Sequence, residues 1–540
     1  MLAALIASAD EQSFDVGLLV VLVAVAGFLV LAHRTGMPYP ILLVVGGAAL
    51  GFLTGSTVSL DPDLVLVIFL PPLLYAAAFF SSLRDLRANV RPIALLSIGL
   101  VVLTTLGVGL VAHAAIDGLS WAAAFTLGAV LSPTDPVAAS AIASRLGAPR
   151  RYVTVVEGES LLNDSTGLIA YKFAVAAVVT GAFSLPGALG SFVISTLAGI
   201  AIGIAVGWLV VWTRRRLDDA PTEITVSVLT PYFAYLPAEA LGVSAVLAAV
   251  TAGIWLGWRS PELITPQTRL QAYSFWEVFV FILNAALFVL VGLQLPEVLD
   301  RIRDDYSAGT LLGYGVLVSG TVIALRFLWV FPATYLPRSL FRGLRDRDPA
   351  PSWKPVVLVA FTGMRGAVSL AAALAIPELT DAGGPFPERD LIIFLVYVTI
   401  LVTVVGQGLL LAPLIGWLGV EEDSSAPERE AHARIQAAEA AIAQIDELRS
   451  ETWVRPESAS RMKGLYEFRV RRFASLVDGT DDDSLEQGSQ SYQRLRRAVL
   501  EAERREIIRL RNDGSINDEI MHRIERDLDL EDTRLDRTEA

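Results

Sequence analysis

The sequence predicts an all-α polytopic membrane protein: about thirteen transmembrane helices arranged as an inverted repeat with two broken helices (spans 5 and 12), followed by an α-helical cytoplasmic tail. Three observations predict it. Of 540 residues, 54% are hydrophobic and only 18% are charged, too little polar surface to coat the several domains a soluble chain of this length would form. The charge is segregated: residues 421–540 hold 29 acidic and 20 basic residues, whereas residues 1–420 hold 27 and 23. Within those first 420 residues, apolar runs recur at about 20 residues, the length that crosses a bilayer as a helix. The expected domains are therefore a membrane domain, 1–420, and a charged helical tail, 421–540, with a hinge at Ser424-Ser425-Ala426-Pro427.

The same composition removes several classes. Without cysteines there is no disulfide scaffold, thiolate metal site or thiol catalysis. A net charge of −13 argues against nucleic-acid binding. No Gly-x-x-x-x-Gly-Lys loop is present, so no ATP site is expected. His33, His113, His432 and His522 lie at span ends or in the tail and form no metal cluster. The expectation is a non-enzyme without cofactors. Only Lys172, Lys354 and Lys463 among 43 basic residues are lysines, a bias that suggests a GC-rich bacterial genome and hence a bacterial inner membrane.

In chain order, Met1–Ala9 lacks a basic start and a long apolar run, so it reads as a short external leader rather than a cleaved signal. Spans follow near 15–33, 38–58, 62–81, 92–115, 119–143, 152–182, 187–213, 222–238, 241–258, 274–295, 308–336, 354–378 and 389–418. The eighth is short and contains Pro231. With the N-terminus outside, the inside loops hold seventeen Arg or Lys, including Arg91, Arg151 and Arg338, and the outside loops hold three. That asymmetry sets the orientation and places the tail in the cytoplasm.

Charges within a bilayer are costly, at roughly 2.5–3.5 kcal/mol each on insertion scales, and so point to function. Asp135 interrupts span five between Pro133 and Pro136; span six carries Glu157, Glu159, Asp164 and Lys172; spans ten, eleven and twelve carry Glu277, Arg326 and Arg365. Two prolines in span five, and Gly363 and Gly366 around Arg365 in span twelve, are unfit for continuous helix. Broken helices at membrane depth are tolerated where they line a cavity or are buried in protein. Breaks seven spans apart run in opposite directions, as in an inverted-repeat transporter with its site at the repeat interface. On span six, Ser160 and Asp164 share one face and Glu159 and Asn163 the next. Their oxygens suit a hard cation, and Thr134 adds a hydroxyl or a carbonyl freed by the break.

Thr134-Asp135-Pro136, Glu159-Ser160-Leu161-Leu162-Asn163-Asp164 and Gly363-Met364-Arg365-Gly366-Ala367-Val368-Ser369 resemble signature segments of the monovalent cation:proton antiporter family that includes the sodium/hydrogen exchangers. Ala234-Tyr235-Leu236, Gly242–Ala248 and Asn284-Ala285-Ala286-Leu287-Phe288 are similar to that family too, in family order over nearly all of residues 15–418. The resemblance implies a homodimer that exchanges sodium, or another monovalent cation, for protons. It implies Asp164 as the transport carboxylate, with Na+ held at Asp164, Ser160 and Thr134. It implies Asp135 and Asn163 as a polar pair at the break, and Glu159 with Arg365 as a buried ion pair; read from the residues, Asp135 is also an N-cap for the second half of span five, a role compatible with the first. One departure is Ala76, which follows Leu70-Pro71-Pro72-Leu73-Leu74-Tyr75 where many members carry glutamate.

The residues leave potassium/proton exchange open, as well as a cation channel or an ion sensor signalling through the tail. Lys172 reads as a snorkelling cation, Glu157 as part of a cytoplasmic funnel, and Glu277 and Arg326 as architectural pairs with unnamed partners or as pore-wall charges. In the tail, Ile435, Ala438, Ile442, Ile445 and Leu448 form one helical stripe and Tyr492, Leu495, Val499 and Ala502 another. Asp481-Asp482-Asp483 reads as a loop, and Ser515 with Asp518 as a capping pair. The tail reads as an acidic solvated helical appendage or as a regulatory or dimerising module; the expected partners are membrane lipid, a second copy of the chain and, for a regulatory tail, a cytoplasmic regulator.

Overall fold

A computed structural model describes residues 23, 25–32, 34–35, 37–54, 66–145, 148–182, 184–217, 219–419, 425–478, 483–513, 515 and 517–536. The predicted leader, most of the first span and the tail's Asp481 and Asp482 lie outside the described residues. The chain divides into two compact units, Met1–Glu422 and Asp423–Ala540.

The first unit is helical. Its main elements are α1 (Tyr39–Thr54), α2 (Leu70–Phe80), α3 (Val90–Ala115), α4 (Trp121–Val130), α5 (Val137–Arg145), α6 (Arg150–Thr180) and α7 (Leu185–Arg214). After these come α8 (Ala220–Ala240), α9 (Ala245–Leu263), α10 (Pro266–Leu293), α11 (Ala308–Leu340), α12 (Trp353–Phe361), α13 (Ala367–Leu374) and α14 (Arg389–Leu418). Among the described residues, five helices are long and apolar enough to cross a membrane by length and composition: α3, α7, α10 with its continuation to Ile302, α11 and α14. The short eighth run forms 21 residues of helix in spite of Pro231 and Pro237.

Lipid tails are as apolar as leucine, so helices in a bilayer associate through close packing at small residues. Glycines set these approaches. A Cβ on Gly292 of α10 would lie 2.2 Å from the Val44 carbonyl of α1, and one on Gly257 of α9 would lie 2.2 Å from the Phe79 carbonyl of α2. The largest apolar cluster includes Leu127, Leu131, Phe288, Val318, Leu370 and Tyr397, so it joins α4, α10, α11, α13 and α14.

Two stretches leave helical geometry inside this packing. Residues 131–136 separate α4 from α5, and residues 362–366 separate α12 from α13. Pro133 and Pro136 have no N–H to donate, and each ring crowds the preceding turn. The stretches meet: the Asp135 N–H donates to the Met364 carbonyl at 2.8 Å. A π-helical turn over Val402–Gln407 in α14 presents Thr403, whose hydroxyl accepts the Arg365 N–H at 3.0 Å.

The tail unit contains α15 (Ser425–Leu448), α16 (Pro456–Asp478), α17 (Asp483–Asn512) and α18 (Asp518–Asp536). Lys463 on α16 bonds Asp446 on α15 at 2.7 Å. The second predicted stripe has the wrong phase. Leu495 and Val499 are exposed, whereas Leu500 and Ile507 are buried in a cluster with Met521 and Leu528 of α18. Asn517, rather than Ser515, caps α18 by accepting the Ile520 N–H at 2.9 Å.

Candidate functional site

The break before α5 leaves carbonyls without helical donors, and two side chains, Ser160 and Arg365, supply them. Ser160 of α6 donates to the Thr134 carbonyl at 2.7 Å. The Arg365 guanidinium donates to the Ser132 and Pro133 carbonyls at 2.6 and 2.9 Å. The Thr134 hydroxyl accepts from Asn163 Nδ2 at 2.7 Å and donates to Glu159 Oε1 at 3.3 Å. Thr134, Glu159, Ser160, Asn163, Asp164 and Arg365 are all buried.

The expected pair Glu159–Arg365 is corrected. Glu159 pairs with Arg326 of α11, which donates through both terminal nitrogens, at 2.5 Å to Oε1 and 2.8 Å to Oε2. Arg326 Nε donates to the Val359 carbonyl at 3.1 Å. Two parallel bonds give this pair the strong bidentate geometry. Arg365 is occupied elsewhere, because it sits in the second break and faces the free carbonyls of the first.

The expected link from Asn163 to Asp135 is corrected too. Asn163 bonds Thr134, and Asp135 Oδ1 accepts the Val137 N–H at 2.9 Å, serving as the cap of α5. Gly366 permits this arrangement: a Cβ there would come within 2.3 Å of Asp135 Oδ2, and one at Gly363 within 2.4 Å of Arg326 Cδ. We expect Gly366→Ala to displace Asp135 and abolish transport. Retention of wild-type flux by Gly366→Ala in proteoliposomes would show that the crossing tolerates a wider separation.

Asp164 stands apart from these bonds. It is only 6% exposed, and among the described residues no donor hydrogen-bonds its carboxylate. It lies one helical turn from Ser160, on the same face of α6. Asp135 is close enough to interact with it electrostatically. Gly167, three residues on, holds α6 against the break: a Cβ there would meet Pro133 Cγ at 2.6 Å. The site thus offers one uncommitted carboxylate beside an amide, two hydroxyls and a carbonyl.

Other predicted residues fall outside this centre. Lys172 bonds Glu239 at 3.1 Å, with both side chains about half exposed. Glu157 lines a small pocket with Phe80, Ser82, Asp85 and Arg150. Glu277 is exposed on α10. Ala76 is buried in an apolar cluster with Tyr75, Phe79, Leu256 and Trp276. Among the described residues, no group of three or more His, Cys, Asp or Glu is placed to hold a metal ion.

Buried oxygens around one uncommitted carboxylate, gathered where two non-helical stretches meet, suit the holding of a cation inside a membrane protein, and the family match makes the chain a cation/proton antiporter-type transporter rather than an enzyme. The chain belongs to the sodium/hydrogen exchanger family: residues 19–417 match its transmembrane domain. It is 38% identical over 533 residues to an uncharacterized Na+/H+ exchanger of Mycobacterium tuberculosis (strain ATCC 25618 / H37Rv), covering 97% of each chain. It is 38% identical over 379 residues to the sodium, potassium, lithium and rubidium/H+ antiporter of Bacillus subtilis (strain 168), covering 68% of this chain and 56% of that one. Among solved structures it is similar to the sodium proton antiporter MjNhaP1 of Methanocaldococcus jannaschii, with a TM-score of 0.59 and 20% identity over 76% of this chain and 98% of that one. At that identity the likeness is one of fold.

Proposed function

We propose that this protein exchanges Na+ for H+ across a bacterial inner membrane, with Asp164 binding the cation or the proton in turn. The observation that carries the reading is a buried carboxylate to which, among the described residues, no donor hydrogen-bonds, one turn from a serine tied to the freed Thr134 carbonyl. Oxygen ligands of this kind suit a hard cation. In this reading Asp164, Ser160 and Thr134 contact Na+, Asn163 orients the Thr134 hydroxyl, and Asp135 caps α5. Proteoliposome flux compared side by side with sodium, potassium and lithium tests the cation. Sodium is expected to drive the fastest exchange, and potassium-driven flux above sodium would reverse the assignment.

The architecture is read as thirteen spans, N-terminus outside, with α4–α5 and α12–α13 as the broken helices of an inverted repeat. The arginine-rich loops support that orientation. The tail is read as cytoplasmic and available to a regulator, and the protein as a homodimer in lipid.

Exchange is proposed to be one-for-one and electroneutral. A single titrating carboxylate carries either one Na+ or one H+, so both loaded forms have the same net charge. Sodium-driven proton flux should then be the same with the voltage clamped by potassium and valinomycin at zero or at a large negative value. Voltage-dependent flux would mean that a second proton moves, with Asp135 as its carrier.

A further inference from the structure

Three guanidiniums converge on one carboxylate at the ends of α3, α6 and α11. Asp348 lies 3.7 Å from Arg91, 3.1 Å from Arg151 and 2.5 Å from Arg338. Burial raises the Asp348 carboxyl, but the hydrogen bond from Arg151 and the charge of Arg338 outweigh it and hold the group below its usual range. The cluster therefore carries three positive charges against one negative. Arg151 also donates to Asn89 Oδ1 at 3.0 Å, and Arg338 donates to the Asp348 and Thr334 carbonyls. Arg91 differs. Both of its terminal nitrogens are buried and, among the described residues, hydrogen-bond to no acceptor.

These arginines line a cavity of about 340 Å³ whose other walls include Leu95, Leu96, Val155, Val330, Val356 and Val359. An excess of guanidinium beside an apolar wall matches an amphiphilic anion. Inorganic phosphate would satisfy Arg91 and leave the walls unused, and a zwitterionic lipid would bring its own cation to the arginines. Basic pockets between membrane helices on the cytoplasmic side suit anionic headgroups, and phosphate accepts strong charge-assisted bonds from arginine.

We propose that this cavity seats the phosphate headgroup of an anionic phospholipid, with Arg91 as its main donor and the upper part of an acyl chain against Val155, Val330 and Val356. Only the choice of leaflet rests on the proposed orientation; binding does not depend on the transport reading. Asp348 hydrogen-bonds Arg151 and Arg338 but only ion-pairs with Arg91 at 3.7 Å, which leaves the hydrogen bonds of Arg91 to the lipid.

The test uses the purified full chain in detergent, with phosphatidylglycerol, phosphatidylcholine or inorganic phosphate added, read by melting midpoint and by native mass spectrometry. Phosphatidylglycerol should raise the midpoint and persist as an adduct, and the other two should not. Arg91→Gln should keep the unliganded midpoint and weaken phosphatidylglycerol binding about tenfold or more, as expected for losing hydrogen bonds from a charged group. Ala333→Trp, which fills the apolar side of the cavity, should weaken it as well while leaving Arg91 in place, and carries the test if Arg91→Gln does not fold. Undiminished phosphatidylglycerol binding by a folded variant would overturn the proposal. So would an equal shift from inorganic phosphate, which would mean a free-anion site, or from phosphatidylcholine, which would mean apolar filling alone.

Discussion

Asp164→Asn is expected to abolish sodium-driven proton flux while the protein stays folded and membrane-inserted. The amide matches the carboxylate in shape but neither carries a negative charge nor exchanges a proton near neutral pH. Folding should survive because, among the described residues, no donor hydrogen-bonds Asp164, so the change strands no partner. Flux in proteoliposomes should fall to the passive leak, with a melting midpoint in detergent close to wild type. Ser160→Ala should be milder. It removes one bond to the Thr134 carbonyl, worth about 1 kcal/mol, and water can replace a hydroxyl ligand. Wild-type flux from Asp164→Asn would remove Asp164 from the transport site.

Glu159→Ala and Arg326→Ala should be the most destabilising single changes, at about 3–5 kcal/mol each, because either leaves a buried charge without its partner. Arg365→Ala should act differently: it deprives the Ser132 and Pro133 carbonyls of a donor but strands no charge. A double-mutant cycle in denaturant separates the cases. Glu159 with Arg326 should show strong coupling and Glu159 with Arg365 weak coupling. The reverse ranking would reinstate the pairing expected from the sequence. Replacing Glu159 and Arg326 together by leucine and methionine should recover much of the stability, since apolar replacements for a buried pair are often neutral or stabilising.

The long apolar helices are legible in the sequence because a bilayer leaves a chain few alternatives: every backbone polar group must be satisfied within its own segment. The two non-helical stretches are legible for a similar reason. Pro133 and Pro136 cannot sustain the helix hydrogen bonds, and Gly363 and Gly366 bracket the second stretch. Sequence spacing along α6 also put Ser160 and Asp164 on one face. What spacing could not supply is which distant group each charge meets. Arg326 and Arg365 are both arginines within apolar runs, and nothing in either run's periodicity says which reaches Glu159. The missing information is the crossing of the two stretches, which commits Arg365 to the carbonyls of 132 and 133. The partner of Asn163 is hidden for the same kind of reason, because Asp135 turns toward its own helix start at Val137 and Asn163 meets Thr134 instead. The one available sign for Arg326 was that it sat mid-span without a named partner.

In the tail, the phase error at Leu495 and Val499 arises because, among the described residues, α17 packs chiefly against α18. Leu500 and Ile507, seven apart, form the seam with α18, and an i, i+3, i+4 count along α17 alone does not single it out.

The most direct measurement of the central claim is proton release on sodium binding, made on the purified protein in weakly buffered detergent solution at a pH where the site is protonated. If Na+ and H+ compete for one carboxylate, saturating sodium should release one proton per protein, with release vanishing as pH rises and the site empties of protons. Asp164→Asn should release none. Sodium binding without proton release in the wild type, or unchanged release from Asp164→Asn, would contradict exchange at Asp164.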